Sequence, residues 1–254
     1  ALRGEDLCEV RLRALERLNE HNVSTTLVVT LQRGINEEQI GEIIDIALKQ
    51  KCVRGVTFQP VQVAGRLDSF HAERDRLTLS EVRQNILRQA PLFMPEDIIP
   101  VPCHPDCLAM AYALKLDGCV TPLTRLMDPQ LLLSGEGNTI VYERNKGVRE
   151  QIFKAFSTAH SPGSGALALK HLLCCLPEIQ VPEEIGYSHL FRIIIMKFMD
   201  AWDMDIRSVK KTCVHIAHPD GRIIPFDTFN LFYRDDRETR LPRQEMVPMT
   251  VSGR

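Results

Sequence analysis

Cys103 and Cys107, in "PVPCHPDCLAM" (100–110), flank a His-Pro-Asp turn that holds His104 between the two thiols. Thiolates are soft, charged donors that suit tetrahedral zinc or iron, so a C-x3-C pair is a candidate metal site. Continuing the count by three residues reaches Met110, so a third ligand must come from elsewhere. Cys119, just past an Asp-Gly turn, and Cys213, in "KTCVHIAHPDG", are the candidates, because two facing hairpins would present four thiolates. The competing reading is four buried structural cysteines, since free cysteine is among the most buried residue types. We prefer metal for Cys103 and Cys107; for Cys119 and Cys213 the two readings are balanced. His104, His215 and His218 are the neighbouring imidazoles, each able to ligate a metal or carry a proton. His218 reads better as a hydrogen-bonded turn residue. Cys8, Cys52 and the adjacent Cys174 and Cys175 read as packing residues.

A second group lies in "TFQPVQVAGR". Gln59 ends an apolar strand, the place where open sheets and barrels bind ligands. Arg66 follows a glycine and offers a bidentate fork for a carboxylate or phosphate. Equally, Gln59 can close the strand and Arg66 can pair with a surface acid. No phosphate-loop or dinucleotide fingerprint is present, and no serine sits in a nucleophile elbow.

Composition narrows the field. The 254 residues carry 31 Lys+Arg against 33 Asp+Glu, for a net charge of −2, and no basic run suggests a polyanion groove. We therefore expect no nucleic-acid partner. Apolar runs such as "HLFRIIIMKF" are too short and too charged to span a bilayer. Eight cysteines, scattered through a chain of this size with no visible secretory signal, read as reduced thiols rather than a disulfide framework, and a cytoplasmic location follows.

The elements that must position these groups alternate over residues 1–90. Leu7, Leu12, Leu15 and Leu18 mark an amphipathic helix, and "VSTTLVVTL" (23–31) reads as a buried strand. Asn36 is placed to cap a helix that turns Ile40, Ile43, Ile44, Ala47 and Leu48 inward. "VRGVTFQPV" is a second strand, closed by Pro60. Thr78 and Glu81 have capping-box spacing at the start of a further helix. Such βα units imply a parallel sheet, which two strands cannot complete, and its other strands are expected from sequence before Ala1. From residue 91 to 254 the texture changes. Five prolines in 90–105 mark an irregular connector. Hairpins are expected at 111–123 and 209–230, helices at 146–159 and 165–176, and a strand near 191–200.

Taken together, "LRGEDL", "STTLVVTLQRGINEEQIGEII", "VRGVTFQPVQVAGR", "RLTLSEV", "PVPCHPDC" and "CVHIAHPDGRIIPFDTFN" resemble the later part of radical S-adenosylmethionine proteins. The similarity is to the branch that includes tetraether lipid synthases and dihydropterin methyltransferases, and it runs from about residue 2 to 235. It implies the C-terminal part of a partial (β/α)6 barrel over 1–90. An α+β auxiliary-cluster and substrate region with hairpins would follow over 91–254. It further implies S-adenosylmethionine, [4Fe–4S] clusters, and an electron donor such as ferredoxin or flavodoxin. The chemistry would be functionalisation of an unactivated C–H bond, either carbon–carbon bond formation on lipid chains or methylation of a pterin-like substrate. A lipid substrate would bring membrane association.

The family's C-x3-C-x2-C motif is absent, so the catalytic cluster is expected upstream of Ala1, and this portion alone is expected to be inactive. Within that reading Gln59 and Arg66 would contact S-adenosylmethionine. Cys103, Cys107, Cys119 and Cys213 would hold an auxiliary cluster. Asp227 stands where some relatives are expected to carry cysteine. The alternative is a non-catalytic, zinc- or iron-stabilised α/β binding module; a plain α/β binding domain without metal is a third reading.

Overall fold

The computed structural model describes residues 5–63, 70–101, 104–116, 119–125, 189–212 and 214–233. Arg66, Cys103, Cys213 and the helices expected at 146–159 and 165–176 lie outside the described residues. The chain divides into two units. One comprises Ala1–Gln62 and Phe70–Phe198, the other Val63–Ser69 and Met199–Arg254.

The larger unit begins with α1 (Cys8–Glu20), β1 (Thr25–Leu31), α2 (Ile40–Lys49) and β2 (Val53–Pro60), and continues through the short α3 (Ala72–Asp75) to α4 (Leu79–Gln89). β3 (Ile99–Pro100), β4 (Leu108–Leu116), β5 (Cys119–Pro122) and β6 (Leu190–Met196) follow. The strands form one mixed sheet in the order β1-β2-β6-β4-β3, with β5 paired to β4. β1, β2 and β6 are parallel, while β4 runs antiparallel to β6. The fold is therefore mixed α/β. The strand that continues the parallel sheet beyond β2 is β6, from much later in the chain, and it joins residues on both sides of position 91 in one sheet.

Alternation of side chains gives the sheet two unlike faces. On one face Leu31, Val56, Phe58, Phe191, Ile193, Ile195 and the alanines at 109, 111 and 113 merge with Ile40, Ile44 and Ala47 of α2 and Val82 and Ile86 of α4. This is the core, where each fully buried aliphatic or phenyl side chain contributes about 1.5–3 kcal/mol. The other face carries rows that follow the register. Thr26, Gly55, Arg192 and Tyr112 form one, and Val28, Thr57, Ile194 and Met110 the next. β1 is not buried as expected: only Leu31 is fully covered, and Val28 is 56% exposed. The core apolar set of β1 lies on the helix side, and β1 is an edge strand among the described residues.

Local signals fare well where they are self-contained. The Thr78 hydroxyl accepts from Glu81 N at 3.2 Å, and Glu81 accepts from Thr78 N at 2.8 Å, so α4 starts with the expected capping box. Asn36 does not cap α2. Its side-chain oxygen accepts from Gln32 N at 3.0 Å and its amide donates to Thr30 O at 2.9 Å, which folds the loop leaving β1 back on itself. A single 3-10 turn (Glu37–Gln39) then leads into α2. α1 turns Leu15 and Leu18 toward the core but buries no residue fully, and Leu12 is exposed.

The smaller unit contains α5 (Ile206–Val209), the hairpin β7 (His215–Ala217) and β8 (Ile223–Pro225), and α6 (Phe226–Phe232). Gly221 sits at φ +87 in the expected Pro-Asp-Gly turn, a conformation that L side chains rarely adopt. Among the described residues no helix is long and apolar enough to cross a membrane.

Candidate functional site

The parallel strands β1, β2 and β6 bring their carboxyl ends to one edge of the sheet. Gln59 is the penultimate residue of β2, at the edge predicted for ligand contact. Its Nε2 lies 3.9 Å from the Met196 sulfur at the end of β6, a weak contact that leaves most of the amide's hydrogen-bonding capacity unused. Thr30 of β1 is paired with Gln59 on the other side. Arg33, just beyond β1, donates to the carbonyl of Arg76 at 2.9 Å and to Glu81 at 2.7 Å, fixing this loop against the start of α4.

β4 enters the sheet at this same edge because it runs antiparallel: Leu108 pairs with Met196, and Lys197 N donates to Cys107 O at 2.8 Å. The turn before β4 therefore sits beside the end of β6. It is closed by Cys107 N and Leu108 N, both donating to His104 O, at 3.2 and 3.0 Å. His104 and Cys107 are both buried, each 3% exposed. The topology thus gathers Gln59, Met196, His104 and Cys107 at one end of the sheet.

Cys119 is not among them. It opens β5 opposite Leu116, at the far end of β4, and is exposed. A strand rises about 3.4 Å per residue, so the length of β4 separates Cys119 from Cys107 by roughly 30 Å. One mononuclear or [4Fe–4S] site cannot use both thiols in this arrangement. Among the described residues no cluster of three or more His, Cys, Asp or Glu side chains is placed to hold a metal ion. Cys107 and His104 by themselves fall short of the three or more protein ligands that a zinc site uses.

In the smaller unit, Asp227 is 3% exposed and both its oxygens are engaged: Oδ1 accepts from Met199 N at 2.6 Å and Oδ2 from the Thr212 hydroxyl at 2.9 Å. In this structure it is a clamp between three segments. His218 behaves as a turn residue, its Nδ1 2.8 Å from Asp220 Oδ1. Arg222 binds the other Asp220 oxygen at 2.7 Å through Nε and stacks over Tyr233, 5.4 Å from the ring centroid. The Arg222 guanidinium, chiefly, holds the Asp220 carboxyl far below the usual carboxylate range.

Asp75, in the loop against which Arg33 packs, accepts from Arg74 Nε at 2.7 Å and from His71 N at 2.9 Å. The Arg74 hydrogen bond, reinforced by the His71 amide, lowers its pKa to about 2. An unfolded aspartate titrates near ~3.9, so this pairing stabilises the fold above about pH 4. The contribution is lost as the pH falls through about 2. An acid titration of stability should show this sensitivity between about pH 4 and 2, and Asp75→Asn should flatten the curve there.

Sequence reasoning passed over Gln62. It lies two residues beyond β2 and is 8% exposed, and neither Oε1 nor Nε2 has a hydrogen-bond partner. The available signal was an amide flanked by Val61 and Val63 immediately after an apolar strand. A cleft of about 620 Å³ opens elsewhere, between α1 and β1, walled by Leu12, Leu15, Leu18 and Leu27 with Cys8 and Arg11. Asn36 and Gln39 also line it, but it lies away from the carboxyl ends of the parallel strands, where α/β sheets hold their ligands, so we place the candidate site at the strand ends.

No family model matches the chain. It is 27% identical over 304 aligned positions to a protein of Methanocaldococcus jannaschii named 7,8-dihydro-6-hydroxymethylpterin dimethyltransferase, an alignment covering 99% of this chain and 57% of that relative. The chain thus spans little more than half the length of the curated relative it resembles.

Proposed function

We propose that this chain is part of a radical S-adenosylmethionine-type methyltransferase acting on a reduced pterin. The observation that carries this reading is the similarity across 99% of the chain to a relative named for pterin dimethylation. It favours the pterin over a lipid. The meeting of Gln59, His104 and Cys107 at the carboxyl edge of β1, β2 and β6 is the arrangement such a site needs. In this reading the sheet is a section of a (β/α)6 barrel, and Gln59 with Arg66 contacts S-adenosylmethionine. Cys103 and Cys107 contribute thiolates to an auxiliary iron–sulfur cluster, and Cys213 is a separate candidate metal ligand in the smaller unit.

The test is anaerobic reconstitution of the chain with iron and sulfide, followed by titration with 6-hydroxymethyl-7,8-dihydropterin, monitored by fluorescence. Saturable pterin binding is expected, together with a brown absorbance that Cys107→Ala abolishes. A colourless zinc protein would remove the cluster assignment, and absence of saturable pterin binding would remove the substrate.

A further inference from the structure

Gln62 is buried with both ends of its amide unbonded. Leaving a buried donor or acceptor without a partner costs about 1–3 kcal/mol, whereas an apolar side chain of the same shape avoids that cost. The neighbouring chain supports an apolar residue well: Val61 is buried and its N donates to Leu31 O at 2.8 Å, holding the backbone just past the strand. The fold therefore keeps an amide where leucine would stabilise it. Such groups in native proteins call for an explanation, and a bound water, an ion or a ligand supplies one.

The position says what kind of partner. Gln62 follows the carboxyl end of a parallel strand, where open α/β sheets hold small ligands. Gln59, three residues earlier, has an amide that makes a weak contact to the Met196 sulfur. Three residues span at most about 10 Å, so the two amides are close enough to belong to one site. Transfer between a cofactor and a substrate requires such adjacency.

Resting on the pterin reading above, we propose that Gln62 binds the pyrimidinone edge of the substrate pterin. A primary amide presents a donor and an acceptor side by side. Oε1 accepts from the ring N–H, Nε2 donates to the ring carbonyl oxygen, and both orphaned atoms are satisfied at once. The same amide would fit the donor–acceptor edge of an adenine, and the experiment separates these sources.

Wild type, Gln62→Leu and Gln62→Glu are titrated separately with 6-hydroxymethyl-7,8-dihydropterin and with S-adenosylmethionine, and the ligand-free proteins are melted. Gln62→Leu should weaken pterin binding about tenfold or more and leave S-adenosylmethionine binding unchanged, while raising the ligand-free Tm. Gln62→Glu keeps the acceptor, loses the donor, and should fall between. A lowered Tm in Gln62→Leu would show that the amide bonds within the protein and overturn the proposal. Unchanged pterin affinity, or loss confined to S-adenosylmethionine, would overturn it while leaving the pterin reading intact. If wild type binds no pterin, the substrate reading itself fails, and this assignment with it.

Discussion

Gly55→Ala is expected to destabilise the larger unit by about 3 kcal/mol, lowering its Tm on the order of 10 °C. Gly55 lies in β2, is buried, and pairs with Arg192 of β6. A methyl group there would stand 2.4 Å from Arg192 O and 2.6 Å from Arg192 Cγ. The stem of Arg192 can rotate away, but the carbonyl belongs to the ladder and cannot. Relief therefore requires β6 to move from β2, weakening the pairs from Gly55–Arg192 to Phe58–Ile195. The same shift would pull Met196 from Gln59 at the site edge, so on the pterin reading proposed above substrate binding should weaken as well. Adding Arg192→Ala should recover only part of the loss, because it removes Cγ and leaves the carbonyl. Thermal melts of the three variants decide this, and a Gly55→Ala protein that melts with wild type would show that β2 and β6 are not so closely paired.

That glycine also marks what was legible in the sequence. Elements whose signals are local came through: the Thr78–Glu81 box, the Pro-Asp-Gly turn and the strand closed by Pro60 each depend on residues within a few positions. The partner of β2 was not legible. β6 joins it from more than a hundred residues away, and parallel pairing leaves no local mark in either strand. Gly55 was the trace available, a gap left for another backbone, but sequence alone cannot say whose. Asn36 was misassigned because its short amide found Thr30 O and Gln32 N before the helix began. The candidate site was legible in part, since Gln59 and Cys107 fall at its edge. Separating Cys119 from Cys107 required the direction of β4, a long-range property.

Asp227→Ala should loosen the smaller unit by about 3 kcal/mol, with little effect on the larger one. Its carboxylate joins Met199 N, the Thr212 hydroxyl and the first turn of α6. Hydrogen bonds to such a group contribute about 1.5–3 kcal/mol each, and truncation leaves a main-chain donor at Met199, itself 2% exposed, without its partner. Few buried apolar side chains in this unit can absorb the loss; Met199 and Ile224 are the described ones. Hydrogen exchange measured by mass spectrometry reads the two units separately, and peptides from 199–232 should lose protection while those from β2 and β6 keep it. Asp227→Asn keeps one carbonyl acceptor and should lose about half as much. Thr212 is the residue before Cys213, so the same variants bear on the metal proposal. If Cys213 is a ligand, Asp227→Ala should lower the iron retained after reconstitution, and Asp227→Asn should lower it less. Iron content unchanged in a unit that has lost its protection would instead place the cluster's ligands outside the smaller unit, leaving Cys103 and Cys107 to find their partner elsewhere.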